Sequence, residues 1–195
     1  MSTIYLVRHG LTPANKENRF AGRTGINLSA EGIMQMHQVG KRLRDKNIAA
    51  IYSSPTRRTL ESAEILGLLL NSPVSILAEL NEINIPHWDG LTKDEIRQQY
   101  DEQYPTWLSA PQSFKLLGCE TLQQVQKRAV EAFKQVRERE PGQNLLLVSH
   151  LIVLRCLVLY FQGLETKDFR SIQIDNGTIL QVTGEAKGKM SVSFL

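Results

Sequence analysis

Two stretches of this chain limit what it can become. Residues 4–7, within IYLVRH, and residues 145–148, within NLLLVSH, are apolar without a break. A strand with one wet face alternates apolar and polar residues. A strand with no alternation needs cover on both faces, which is the pattern of inner strands in a parallel sheet. Both stretches then stop on a histidine, His9 and His150, and the first places Arg8 directly before it. In open α/β sheets, ligands sit outside the carboxyl ends of the strands, so the ends of these runs are the first places to look for chemistry.

The remainder of the sequence alternates in the same way. Ser29 precedes a helical pattern in which Ile33, Met36, Val39 and Leu43 recur. IAAIYSS reads as a strand, and Ser54-Pro55 then reads as an N-cap followed by proline at the first helical position. A helix with Arg57 and Arg58 in its first turn follows, and VSILAEL reads as a third strand leading to Glu79 and Glu82. Capping boxes at Thr92–Glu95 and Thr121–Gln124 start two further helices, and another helix follows His150. The last stretch, from SIQI onward, reads as strands joined by DNG and GEAKGK turns. The expectation is an α/β protein of three layers, α/β/α: a mostly parallel central sheet, helices on both faces, and a small helical insertion at about 82–119 over the active-site edge. With no linker, repeat or low-complexity tract, residues 1–195 read as one domain.

Composition narrows the function classes. A net charge of +3 without a run of like charge gives no nucleic-acid arm. The longest apolar runs are short or interrupted by His150 and Arg155, which argues against a membrane partner. The beginning lacks the pattern of a signal peptide. Cys119 and Cys156 stand in no metal-ligand spacing and form no disulfide framework, so a reducing, cytoplasmic setting is expected. Cys119, close to a helix start, is a place where a thiol pKa can be lowered, although a capping role accounts for it as well. Cys156 reads as core and His37 as surface.

The carboxyl ends of the strands would gather Arg8, His9, Arg58, Glu82 and His150. Singly, each is most simply a polar residue facing water. As a set they match one chemistry. Paired guanidiniums fit a dianionic phosphate. A neutral, oriented histidine is a nucleophile, a second histidine donates to phosphoryl oxygens as charge moves, and a carboxyl group protonates the leaving oxygen. Gly10 is expected to let the backbone approach the phosphate closely.

LVRHG with Asn15, NRFAGRTGINLSAEG, IYSSPTRRTLESA, LNEINIPHWDGLT, GCETLQQVQKR and LLVSHLIVLR together resemble the histidine phosphatase superfamily, the phosphoglycerate-mutase-like fold. The matches run in the family order from Tyr5 to about Asn176. The resemblance implies His9 as the phosphorylated nucleophile and Glu82 as the proton donor that later activates water. It implies Arg8, Arg58 and His150 as the phosphate pocket, and Asn15, Gly22 and Leu151 as further substrate-binding positions. Arg57 and Glu79 fall outside the pattern. No metal and no other cofactor is implied.

The family holds phosphatases and mutases. This chain is short for a mutase, and a metal-independent phosphomonoesterase is expected, acting on a small phosphorylated metabolite: phosphoserine, a sugar phosphate or α-ribazole phosphate. A phosphoglycerate-type phosphomutase and a catalytically weak phospholigand-binding module are the alternatives. The chain departs from the family at Leu11 and Ala14, where glutamate and tryptophan are usual, at Leu151 and Pro86, where glycine is common, and at Ile85, where phosphoserine-directed members carry histidine. Trp88, Trp107, His87 and Tyr104 of the insertion are candidates for substrate contact or for packing of the insertion onto the sheet. A homodimer through an edge strand or the insertion is compatible with the sequence.

Overall fold

The computed structural model describes residues 2–184 and 190–195. Six strands form one sheet in the order β3-β2-β4-β1-β5-β6. The strands are β1 (Ile4–Arg8), β2 (Ile48–Ser53), β3 (Val74–Ile76), β4 (Asn144–Ser149), β5 (Ile179–Thr183) and β6 (Ser191–Phe194). Pairs β1–β4, β2–β4 and β2–β3 are parallel, while β5 joins β1 and β6 antiparallel. The two unbroken apolar runs are thus the two innermost strands, side by side, with Arg8 opposite Ser149.

Alternate residues of β1 feed two different cores. Tyr5 and Val7 pack with Met36, Val39 and Leu43 of α2 (Ala30–Leu43) and with Ala63 and Leu66 of α3 (Arg57–Leu70). Ile4 and Leu6 pack with Val125, Ala129 and Phe133 of α6 (Leu122–Arg139) and with Val153 and Leu157 of α7 (Leu151–Gln162). Truncating a side chain such as Leu6, fully buried between these layers, costs about 2–5 kcal/mol. The short α1 (Pro13–Lys16) closes the loop after β1. The insertion supplies α4 (Lys93–Gln99) and α5 (Gln103–Ser109). It is built around Trp88, which meets Phe20, Tyr104, Trp107 and Phe114 at ring separations of 5.0–5.9 Å.

Several local expectations are corrected. The helix after β2 begins at Arg57 with Thr56 as its N-cap, not at Ser54-Pro55. Ser54 is held elsewhere, by His150. Only Val74–Ile76 of VSILAEL is strand, and Ala78–Leu80 winds into a 3-10 turn. β3 is the edge strand, with no neighbour beyond it among the described residues, and Ile76 is 61 % exposed. SIQI forms no strand, because it leaves the ladder to cross the strand ends, where Arg8 binds the Ile174 carbonyl. Ile33 is exposed while the other three apolar positions of its pattern are buried. Most of the GEAKGK turn falls on residues 185–189, outside the described residues.

Gly10 has a packing reason as well. A Cβ there would lie 2.5 Å from the Gly32 carbonyl oxygen, and a Cβ on Gly32 would lie 2.1 Å from that of Leu11. The two glycines let the loop after β1 press against the first turn of α2.

Candidate active site

The parallel strands bring their ends together. His9 N–H continues the ladder to the Ser149 carbonyl at 3.1 Å, and Ser54 N–H does the same to Val148. Above these ends lies a cleft of about 360 Å³. Its inner wall is Arg8, His9, Asn15, Gly22, Arg58, Glu82, Leu151 and Asn176, and its mouth carries Asn18, Arg19, Phe20 and Lys93.

His9 is buried and its tautomer follows from its partners. Nδ1 lies 2.8 Å from the Gly10 carbonyl, which can only accept, so Nδ1 carries the hydrogen. Nε2 keeps its lone pair, and Arg58 Nε donates to it at 3.3 Å. Burial, then the guanidiniums of Arg58 and Arg8, hold the imidazole well below the usual histidine range. The ring is neutral, with its reactive nitrogen on the arginine side.

Arg58 is nearly inaccessible and fully engaged. Beyond His9, Nη1 donates to the Thr24 carbonyl at 3.2 Å, and Nη2 donates to the Gly22 carbonyl at 2.6 Å and to His150 Nδ1 at 3.1 Å. Gly22 has φ +45°, and a Cβ there would lie 1.7 Å from Asp89 Oδ1. Only glycine fits that turn against the insertion. Arg57, in contrast, is exposed and pairs with Glu61 on its own helix.

Arg8 donates from Nη1 to Ile174 O at 2.8 Å, and its Nε is buried without a partner. Desolvation lowers both guanidinium pKa values, offset first by Glu82 in each case. A buried donor at the cleft wall with no acceptor is an uncommon cost for a fold to carry, and an anionic oxygen in the cleft would relieve it.

His150 is fully buried and lies behind the cleft wall, not on it. Its Nδ1 accepts from Arg58, and Nε2–H donates to Ser54 Oγ at 2.7 Å. Burial, then Arg58, keeps this ring neutral too. The sequence resemblance made it a direct phosphate ligand; in the structure it buttresses Arg58. Glu82 faces the cleft, and burial raises its pKa despite the Ile83 N–H donated to Oε1 at 2.9 Å and the nearby guanidiniums. Asn15 lines the cleft with its carbonyl side turned inward, accepting from Thr12 and from Asn176.

Asn176 was missed. Its amide nitrogen donates to His9 O at 3.0 Å and to Asn15 Oδ1 at 3.2 Å. The only sequence signal was DNG, which reads as a turn. The candidates His87, Trp88, Tyr104 and Trp107 do not line the cleft. The tryptophans and Tyr104 are buried in the insertion's aromatic cluster, and His87 is exposed, near the Leu117 carbonyl. Glu79 likewise lies outside. Cys119, expected near a helix start, has its thiol pKa raised by burial and then by Asp89, not lowered. Burial pushes Cys156 up to about 12. Among the described residues, no three His, Cys, Asp or Glu side chains are grouped to hold a metal ion, and no helix is long and apolar enough to cross a membrane.

A mostly parallel three-layer sheet with an Arg-His-Arg-Glu cluster over its strand ends defines a phosphate-handling α/β protein. The chain belongs to the histidine phosphatase superfamily (branch 1), whose family model matches residues 4–194. It is 31 % identical to a probable phosphoglycerate mutase GpmB of Salmonella paratyphi A, over 93 % of this chain and 85 % of that one. It is 28 % identical to phosphoserine phosphatase 1 of Hydrogenobacter thermophilus, over 91 % of this chain and 84 % of that one. Among solved structures, YhfR of Bacillus stearothermophilus superposes with a TM-score of 0.94 at 31 % identity, covering 100 % of this chain and 96 % of that one.

Proposed function

We propose that this chain hydrolyses a small phosphomonoester through a phosphohistidine on His9, without a metal. The observation that carries this reading is the state of His9: neutral, hydrogen on Nδ1, and lone pair on Nε2 beside Arg58. The phosphate docks against Arg8, Arg58 and Asn15, with the free Arg8 Nε–H as one donor. Nε2 attacks phosphorus in line, the P–N bond forms and the P–O bond breaks. Arg58 Nε–H loses its imidazole acceptor at that moment and turns to a phosphoryl oxygen, so this contact strengthens in the transition state. Glu82, whose pKa burial raises, gives its proton to the leaving oxygen. Glu82 then takes a proton from water, which attacks phosphorus, breaks the P–N bond and releases phosphate with neutral His9 restored. His150 holds Arg58 in place, its Nδ1 lone pair accepting from Arg58 Nη2 and its Nε2–H bound to Ser54.

Phosphoserine, sugar phosphates and α-ribazole phosphate are the candidate substrates. The phosphoserine phosphatase relative supports this class, and the exposed side chains of Asn18 and Lys93 at the mouth leave water a route to the intermediate. The mutase relative supports a second reading, in which a substrate hydroxyl takes the phosphoryl group instead.

The test is phosphate release from a panel holding these esters and the phosphoglycerates, with EDTA present and His9→Ala as control. Release by the wild type alone supports the proposal. Isomerisation of phosphoglycerate without release favours the mutase. Activity retained by His9→Ala, or lost on adding EDTA, overturns the mechanism.

A further inference from the structure

Glu82 sits on a piece of backbone that no strand ladder holds: β3 ends at Ile76, and residues 81–85 are neither helix nor strand. Side chains hold it instead. The carbonyls of four successive residues are each taken. Arg128 Nη1 donates to Glu79 O at 2.5 Å and to Asn81 O at 2.6 Å. Ser149 Oγ donates to Leu80 O at 2.7 Å. Glu82 O receives Arg23 Nε at 2.9 Å and Arg128 Nη2 at 3.2 Å.

Glu120 closes the arrangement. Its carboxylate accepts from Arg128 Nε at 2.9 Å, from Arg23 Nη2 at 2.8 Å and from Asn84 N at 2.8 Å, while its own N–H donates to Asn84 O at 2.8 Å. The Glu82 carboxyl is in turn bound to its own backbone, through Ile83 N–H on Oε1. Where that backbone goes, the carboxyl goes. The clamp reaches the other side of the cleft as well, because Arg23 follows Gly22, whose carbonyl holds Arg58.

We infer that Arg128 and Glu120 are positioning residues for the proton donor, holding the Glu79–Asn84 backbone so that the Glu82 carboxyl faces the oxygen that leaves. Neither residue lines the cleft, and what they hold directly is the backbone that carries Glu82. This rests on the reading of Glu82 as general acid. Misplacement of a catalytic group by about 1 Å costs on the order of 10²-fold, and general acid catalysis contributes about 10²–10⁴-fold, so loosening the clamp has a measurable signature.

The experiment compares an aryl ester, whose leaving group needs no proton, with an alkyl ester, glycerol 2-phosphate, whose leaving group does. Arg128→Gln, Glu120→Gln and Glu82→Gln are each assayed on both, with kcat and KM separated and the folded state checked by circular dichroism. The expected result is a loss of kcat at least roughly tenfold larger on the alkyl ester for every variant, with KM little changed. Arg128→Gln placed on Glu82→Gln is expected to add less than about twofold, since partners that act as a unit are non-additive. Equal losses on the two esters by Arg128→Gln and Glu120→Gln, or losses that multiply in the double variant, overturn the inference while leaving Glu82 in its role. Equal losses by Glu82→Gln itself overturn the acid assignment and this inference together. If Arg128→Gln does not fold, Glu120→Gln, which keeps size and shape, decides the outcome alone.

Discussion

Arg58 Nη2 donates to Nδ1 of His150 at 3.1 Å. The same guanidinium reaches His9 with its Nε, so one planar group spans the two histidines that end the inner strands. Arg58→Ala is therefore expected to remove a transition-state donor and the tie between the rings, with a fall in kcat of about 10²–10³-fold or more. Arg57→Ala removes only an exposed pair with Glu61, which is worth little, and kcat is expected to stay within about threefold. Steady-state assays of both variants decide it. Similar losses would assign the phosphate to the wrong arginine.

On the proposed mechanism, the pH dependence of His9 phosphorylation has a sign fixed by two groups. The nucleophile must be neutral, and burial with Arg58 and Arg8 keeps it so to well below the usual histidine range. Glu82 must be protonated, and burial carries its pKa above the usual carboxylate range. The rate rises with pH through the low His9 pKa and falls through the raised Glu82 pKa. Single-turnover phosphorylation at saturating substrate is the measurement, because the ester itself titrates near pH 6. Glu82→Gln is expected to keep the acidic limb and lose the basic one; a basic limb that survives would belong to another group.

Stability is expected to fall as the solution is acidified from neutrality, before most carboxylates titrate. His9 and His150 both have folded pKa values depressed by burial first. The unfolded chain takes up protons at these positions below about pH 6.5, and the folded chain does not until a lower pH. The neutral fold is thus favoured above the unfolded value and loses that advantage as pH falls toward the folded values. The slope reaches ~1.4 kcal/mol per pH unit for each histidine not yet protonated in the fold. Urea midpoints between pH 7 and pH 5 measure it, and His150→Gln should flatten the slope by about half. An unchanged slope would mean that His150 titrates alike in both states.

Gly32→Ala tests the contact between α2 and the loop after β1. Helix propensity alone favours alanine by about 1 kcal/mol. The added Cβ would meet Leu11 O at 2.1 Å and Leu11 N at 2.8 Å, and overpacking typically costs about 1–3 kcal/mol. A net loss of stability is expected, together with reduced activity, since Gly10 and His9 move with Leu11. Gly25→Ala, with nothing within 4 Å, is the control and should fall within about 0.5 kcal/mol of the wild type. Stabilisation by Gly32→Ala would show that the loop yields freely.

The sheet's inner strands and the residues at their ends were legible because burial on both faces leaves an unbroken apolar run, as at residues 4–7 and 145–148. Arg58 and Glu82 were legible only by their order in the chain relative to those runs. Strand β3 was overextended because an apolar run does not reveal that its edge is open to water at Ile76. Ser54 looked like a helix cap because serine before proline usually is one; its hydroxyl goes to His150, 96 positions away, and nothing local announces that. Separation along the chain also hid Asn176, whose bond to His9 spans 167 positions, and most of the Arg23–Glu120–Arg128 clamp. Their partners are mostly backbone carbonyls, which leave no mark on a sequence.

The Asn176 bond to His9 gives the chain an order of completion. During synthesis, at ~5–20 residues per second, Arg8, His9, Arg58, Glu82 and His150 all leave the ribosome before the turn that fixes the His9–Gly10 corner. Every other residue lining the cleft therefore precedes Asn176 out of the ribosome, and the corner at His9 is tied down only as the segment leading into β5 comes to lie against β1.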